Sequence, residues 1–213
     1  MKFRSTFYGV GKMGDIVGRK GKGGEYIISQ YQPTPRNPQT QAQMVQRSKV
    51  ALVGSFAKHL SGWAKIMCRG DYKLTGYGKL MKLLLPECIT GTYPNFEIDF
   101  THALISKGSV DLPYSPSASP EGTTLSLTWA DNSGLGNALT TDEVCVCCYN
   151  ATKNQCVYQI GIAQRNERNT TLTLPSTWTG DTVNVWMAMN RSVGTAEMGA
   201  GTSDSIHLAT LAL

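Results

Sequence analysis

The spacing of apolar residues changes period once along this chain, and that change sets its fold class. Val45, Leu52, Phe56, Leu60, Trp63 and Met67 recur at intervals of seven, four, four, three and four. Those intervals put them on one face of an α-helix, which repeats about every 3.6 residues. From residue 121 the period falls to two. Leu125, Leu127 and Trp129 occupy every second position, as do Cys145 and Cys147, and then Val183, Val185, Met187 and Met189. Side chains two apart share one face of a β-strand. Turn-forming stretches at 131–136, 150–154 and 165–169 separate these strands, and 205–213 reads as a last one. Helices first and short strands after predict an α+β chain: a basic N-terminal arm with one or two helices, then an immunoglobulin- or fibronectin-like antiparallel β-sandwich.

The segments divide as follows. Residues 1–36 form a basic, glycine-rich arm, in which seven of the 16 residues 9–24 are glycine. A flexible loop is expected there, followed by a short strand at 25–32. Residues 37–111 form a helical region with a connecting strand. Asn37 is the expected N-cap and Pro38 the first helical position. Gly54 and Gly62 each weaken that helix by about 1 kcal/mol relative to alanine, so a kink or break is expected near Gly62. A second helix is expected around 79–85, bounded by Pro86, and Phe96, Ile98 and Phe100 alternate as a strand. Residues 112–120, rich in Pro and Ser, read as a linker, and 121–213 as the sandwich domain.

Charge follows the same division. The first 82 residues hold 15 Lys and Arg against three acids (Asp15, Glu25 and Asp71), for +12, whereas the remaining 131 hold 5 basic and 12 acidic residues, for −7. Such a split points to a polyanionic partner, or to a neighbouring copy whose acidic part receives the basic one. No run of about 18 apolar residues occurs, so no transmembrane helix and no membrane partner are expected. The N-terminus lacks the continuous apolar core of a secretory signal, and the expected compartment is the cytoplasm of the producing cell, or a virion.

The segments GVGKMGDIVGRKGKG and PRNPQTQAQMVQRSKVALV resemble an uncharacterised family common in Bacteroidota. Its members open with a G-x-x-G-x-V-G segment and continue with an N-P-x-T-x-x-Q-x-x-Q-R motif at a helix start. Here that motif is Asn37, Pro38, Thr40, Gln43, Gln46 and Arg47. ITGTYPNFEIDFTHALISKGSV, LTWADNSGLGNA and GDTVNVWMAM resemble later strands of the family. The resemblance spans nearly the whole chain and implies a domain of unknown function. Cysteines at 145, 147 and 148 depart from the ordinary apolar residues expected in that strand.

No G-x-x-x-x-G-K-[ST] phosphate loop occurs, and no G-x-S-x-G surrounds a nucleophile. His59, His102 and His207 are scattered and read as structural. Glu97 and Asp99 read as the solvated side of a strand. Cys145, Cys147, Cys148 and Cys156 lack paired C-x₂₋₄-C spacing, so they read as small core hydrophobes and no metal or other cofactor is expected. Arg4, Lys12, Arg19, Lys20, Lys22, Arg36, Arg47 and Lys49 are the candidate nucleic-acid-binding residues, because phosphate neutralisation needs only clustered cations. Tyr8, Tyr26 and Tyr31 are candidates for stacking on single-stranded bases. Packing of the arm on a neighbour's acidic domain is the competing use.

The expected function is that of a non-enzymatic, self-assembling structural protein. It would be a virion, capsid-like or filament subunit of a phage or mobile element, with its basic end on nucleic acid and no sequence readout. A non-assembling DNA-binding accessory protein that uses the 37–68 helix, and an enzyme built from dispersed residues, are the alternatives.

Overall fold

In a computed structural model the glycine-rich N-terminus is an antiparallel sheet rather than a flexible loop. The structure describes residues 3–4, 9–21, 23–34, 37, 39–68, 74–192 and 201–213. They form two compact units, Met1–Gln41 and Ala42–Leu213. In the first unit, β1 (Phe3–Arg4), β2 (Gly11–Met13), β3 (Ile16–Lys20) and β4 (Tyr26–Gln30) pair in the order β1-β4-β3-β2. Met13 pairs with Ile16, which leaves a two-residue turn whose first position, Gly14, has φ 61°. That backbone region is open mainly to glycine. Gly18 serves a different purpose: a Cβ there would lie 2.1 Å from the Gly9 carbonyl oxygen. Glycine thus turns the chain and lets strands approach. The strand expected at 25–32 is β4.

The second unit begins with three helices, α1 (Gln41–His59), α2 (Ser61–Met67) and α3 (Gly76–Glu87). The first starts at Gln41, so Asn37 does not cap it, and Pro38 lies outside the described residues. The expected break falls at Leu60, which separates α1 from α2 at φ −89° and ψ 8°. Val53, Phe56, Ala57, Leu60, Trp63, Ala64 and Met67 are buried, so the apolar stripe is the inner face. The Thr75 hydroxyl accepts a 3.2 Å bond from the Gly78 amide and caps α3. Pro86 sits in the last turn of α3, one residue before the helix ends. There its missing donor and its clash with the preceding turn limit only the helix length.

A hairpin of β5 (Ile89–Thr92) and β6 (Asn95–Ile98) follows, and then seven strands. These are β7 (Tyr114–Glu121), β8 (Thr124–Ala130), β9 (Glu143–Asn150), β10 (Gln155–Gln164), β11 (Asn169–Thr173), β12 (Thr182–Asn190) and β13 (Ile206–Ala212). They form two antiparallel sheets, β10-β9-β12-β13 and β11-β8-β7. Lettered A to G in chain order, the sheets read D-C-F-G and E-B-A. Relative to the ABED/CFG sheets of an immunoglobulin constant domain, the fourth strand has moved beside the third. The chain is therefore α+β with a β-sandwich, as the change of period implies.

The expected linker at 112–120 is corrected: most of it is strand β7. Pro116 and Pro120 fit there because β7 is an edge strand, where a residue without an amide donor need not break a ladder. The expected separation of a helical region from the sandwich is also replaced by shared packing. Cys145, Cys147, Tyr149, Trp186 and Ala188 of the four-stranded sheet pack with the helices. Val144, Val146, Cys148, Val183, Val185, Met187 and Met189 of the same sheet pack with the three-stranded sheet. One sheet is thus the wall of two cores, which makes three layers. All four tryptophans are buried, and each indole N–H donates: Trp63 to Ile105 O, Trp129 to Arg165 O, Trp178 to Gln155 Oε1 and Trp186 to Ala103 O. Pairing these donors is what makes burying an indole affordable.

Candidate nucleic-acid interface

Strand register assigns the cations of the first unit to faces. Lys12 pairs with Val17, and Arg19 lies two residues beyond Val17, so Lys12 and Arg19 share one face. Lys20 pairs with Tyr26 and belongs to the other. On the shared face the Arg19 guanidinium donates to Ser29 Oγ at 3.1 Å. Lys12 Nζ stands 3.7 Å from the centroid of the Tyr31 ring. A depression of about 430 Å³ there is lined by Val17, Arg19, Ser29, Gln30, Tyr31 and Gln32. The opposite face carries Lys20 and, beside it, an apolar patch: Val10 is 71%, Met13 59% and Ile16 40% exposed, and the three line one depression with Ile28. Arg4 pairs with Ile27 across β1 and β4, whereas Lys22 and Arg36 lie outside the described residues.

The same register argues against a base-stacking platform. Tyr26 is on the face of Lys20, Lys12 covers one side of the Tyr31 ring, and Tyr8 lies outside the described residues. What the Lys12–Arg19 face offers is a pair of cations, groups able to neutralise phosphate, a contact that carries affinity and no sequence information.

The remaining two candidates sit in the second unit. Arg47 is exposed on α1, beside Gln43, Gln46, Val50 and Ala51. Lys49, two residues on, turns instead toward the β5–β6 hairpin, with Nζ 5.2 Å from the Phe96 ring centroid. Eleven residues after Arg47, close to three helical turns, Lys58 is exposed on the same side, and Lys65 and Lys82 are exposed on α2 and α3. These three lay outside the candidate set, although the eleven-residue spacing from Arg47 to Lys58 was available to find the first. Together the helices carry six Lys and Arg and one carboxylate, Glu87. Each face is thus built by periodicity: period two splits Arg19 from Lys20, and period 3.6 joins Arg47 to Lys58.

Other polar clusters have structural geometry. Asp99 accepts bonds from the Thr101 hydroxyl and amide and lies 2.7 Å from His102 Nδ1, while the Thr101 hydroxyl is 3.1 Å from that same nitrogen. The bonds from Thr101, then His102, hold the Asp99 carboxyl down at about 2. A triad needs nucleophile and carboxylate on different ring nitrogens; here both are at Nδ1, as in a local turn. Arg165, fully buried, donates to Asp142, Asn132 and the carbonyls of Asp111 and Leu139, and Arg191 closes on Asp142 from outside. Burial raises the Asp142 carboxyl, but the bonds from Arg191, the Leu139 amide and Arg165 outweigh it and hold it below the usual range. This network pins the loop between β8 and β9. Cys145, Cys147 and Cys156 face the helices and Cys148 faces the other sheet. Among the described residues no three His, Cys, Asp or Glu side chains converge to hold a metal ion.

Residues 7–207 match the family model described as a family of unknown function, DUF6266. The chain belongs to that family. The resemblance seen in the glycine-rich and N-P-x-T segments is thereby shown at the level of the family. No curated protein matches the chain significantly. DUF6266 membership assigns no chemistry to the two basic surfaces, so their geometry carries the functional argument.

Proposed function

We propose that this protein is a non-enzymatic structural subunit that assembles with copies of itself. In this reading its basic surfaces contact nucleic acid without reading sequence, as in a virion, capsid-like or filament subunit of a phage or mobile element. The observation that supports assembly is the N-terminal sheet, which carries Lys12 and Arg19 on one face and, beside Lys20, an exposed patch of Val10, Met13 and Ile16 on the other. A sheet stays folded by burying one face, and a repeating subunit provides cover for it. Charge adds direction: the helical layer is basic, while residues 103–213 hold five basic against nine acidic residues.

A second reading, an accessory DNA-binding protein that does not assemble, is favoured by the exposed cations Arg47, Lys58 and Lys65 along α1 and α2. One experiment separates the two. Purified protein is sized by light scattering and imaged in negative stain, at low and high salt, before and after nuclease. Regular particles or filaments support the subunit, and their loss with nuclease places nucleic acid within them. A small species that grows only when DNA is added supports the accessory protein. A small species indifferent to DNA refutes both.

A further inference from the structure

Two thiols meet across the four-stranded sheet. Cys147 on β9 pairs with Tyr158, and Cys156 on β10 pairs with Tyr149, so the cysteines are diagonal neighbours on the helix-facing side. Their sulfurs are 3.4 Å apart. Cys147 is fully buried, whereas Cys156 is the one cysteine of six that is partly open to solvent. We propose that Cys147 and Cys156 form an oxidative modification site that closes to an intramolecular disulfide when peroxide reaches Cys156.

The chemistry divides by access. The Cys156 thiolate attacks the peroxide O–O bond, becomes a sulfenic acid and releases hydroxide, which leaves as water with the thiol proton. Cys147 then attacks the Cys156 sulfur, and the S–OH oxygen departs as a second water with the Cys147 proton. Two thiols lose two electrons and one peroxide gains them. Burial, and then the adjacent Cys156 thiol, push the Cys147 thiol well up, so Cys156 reacts first and Cys147 resolves it. Diagonal residues have Cα atoms about 7–8 Å apart, at or beyond the roughly 4.4–6.8 Å that a disulfide spans. Closure therefore draws β10 toward β9. The strand can yield because it is a sheet edge, interrupted between Gln159 and Ala163 with Gly161 at φ 66°. A disulfide made under strain is easily reduced, as a reversible modification requires.

The test is hydrogen peroxide on the folded, full-length protein, then alkylation and tryptic digestion without reductant. Lys153 lies between the two cysteines, so closure joins fragment 108–153 to fragment 154–165. The expected result is that joined pair, with a mass lower by two hydrogens and released by dithiothreitol. It should persist in Cys145→Ser and Cys148→Ser and vanish in Cys147→Ser. Cys147→Ala should instead leave a Cys156 sulfenic acid that dimedone captures, in a variant whose circular dichroism matches wild type and so shows it folded. Failure to join the fragments, or joining that survives loss of Cys147, overturns the proposal.

Discussion

Replacing Phe56 by alanine tests whether the helices and the sandwich are one cooperative body. Phe56 is 1% exposed on α1, with ring centroids 4.8 Å from Tyr149 and 5.5 Å from Phe100 in edge contacts, and 6.3 Å from Trp186. Tyr149 and Trp186 belong to the shared sheet. Truncating a buried phenylalanine costs about 3–5 kcal/mol, and the aromatic pairs place this site in the upper half of that range. Taking about 4 kcal/mol and a urea slope of about 3 kcal/mol/M, the midpoint should fall by about 1.3 M. The decisive assay is native-state hydrogen exchange at β8, in the sheet that Phe56 does not touch. If the three layers open together, amides of β8 that exchange by global opening should exchange roughly a thousand times faster, since each 1.4 kcal/mol is about tenfold. Helical amides that accelerate while β8 keeps its wild-type rates would show that the sandwich stands alone, and the shared-wall argument would fail.

Arg165→Met should destabilise the fold by about 3–5 kcal/mol, because it removes one partner from a buried ion pair and strands two carbonyls; Arg191→Met, nearer solvent, should cost less in the same urea titration. Burial lowers the His207 pKa, only partly opposed by Asp99. Its contribution to stability is therefore complete above the unfolded value of about 6.5 and is lost as pH falls through the lower folded value. Thermal midpoints at pH 7.5 and 5.5, each about one unit from that value, should differ more for wild type than for His207→Gln. If the N-terminal sheet binds duplex DNA through its Lys12 face, Lys12→Gln and Arg19→Gln should each reduce the slope of log affinity against log salt by about 0.9. Lys20→Gln, on the other face, should leave it unchanged in a fluorescence anisotropy titration.

The helix face from Phe56 to Met67 and the alternation of Leu125, Leu127 and Trp129 were legible because each pattern runs long enough to reveal its period. Of the N-terminal sheet only β4 was, since β2 and β3 have three and five residues and glycine occupies their turn and their close contact. Composition also misled at 112–120. Proline marks linkers and edge strands alike, and only pairing with β8 distinguishes them. The sheet with two buried faces was hidden for a related reason. Its strands β9 and β12 are apolar at nearly every position, so alternation sets Cys145 and Cys147 on the face opposite Cys148, as observed, but does not say that both faces are buried in different cores.

Adjacency in sequence was equally misleading for the basic surfaces. Arg19 and Lys20 are neighbours and face apart, while Arg47 and Lys58 are distant and face together. A cluster of cations in a sequence therefore becomes a surface only after the local period is applied. In the second unit charge divides by segment: the helices hold six Lys and Arg against Glu87, the shared sheet holds one Lys, Arg, Asp or Glu side chain, Glu143, and residues 103–213 as a whole hold five basic against nine acidic residues. If assembly sets the basic helices of one copy against acidic segments of another, that contact is head to tail. Head-to-tail contacts are heterologous and close into rings or run on as filaments. If the protein assembles as proposed, the salt dependence of particle size reports which surface holds the array. High salt should shorten a charge-driven array, whereas an array held by the exposed face of Val10, Met13 and Ile16 should persist or grow.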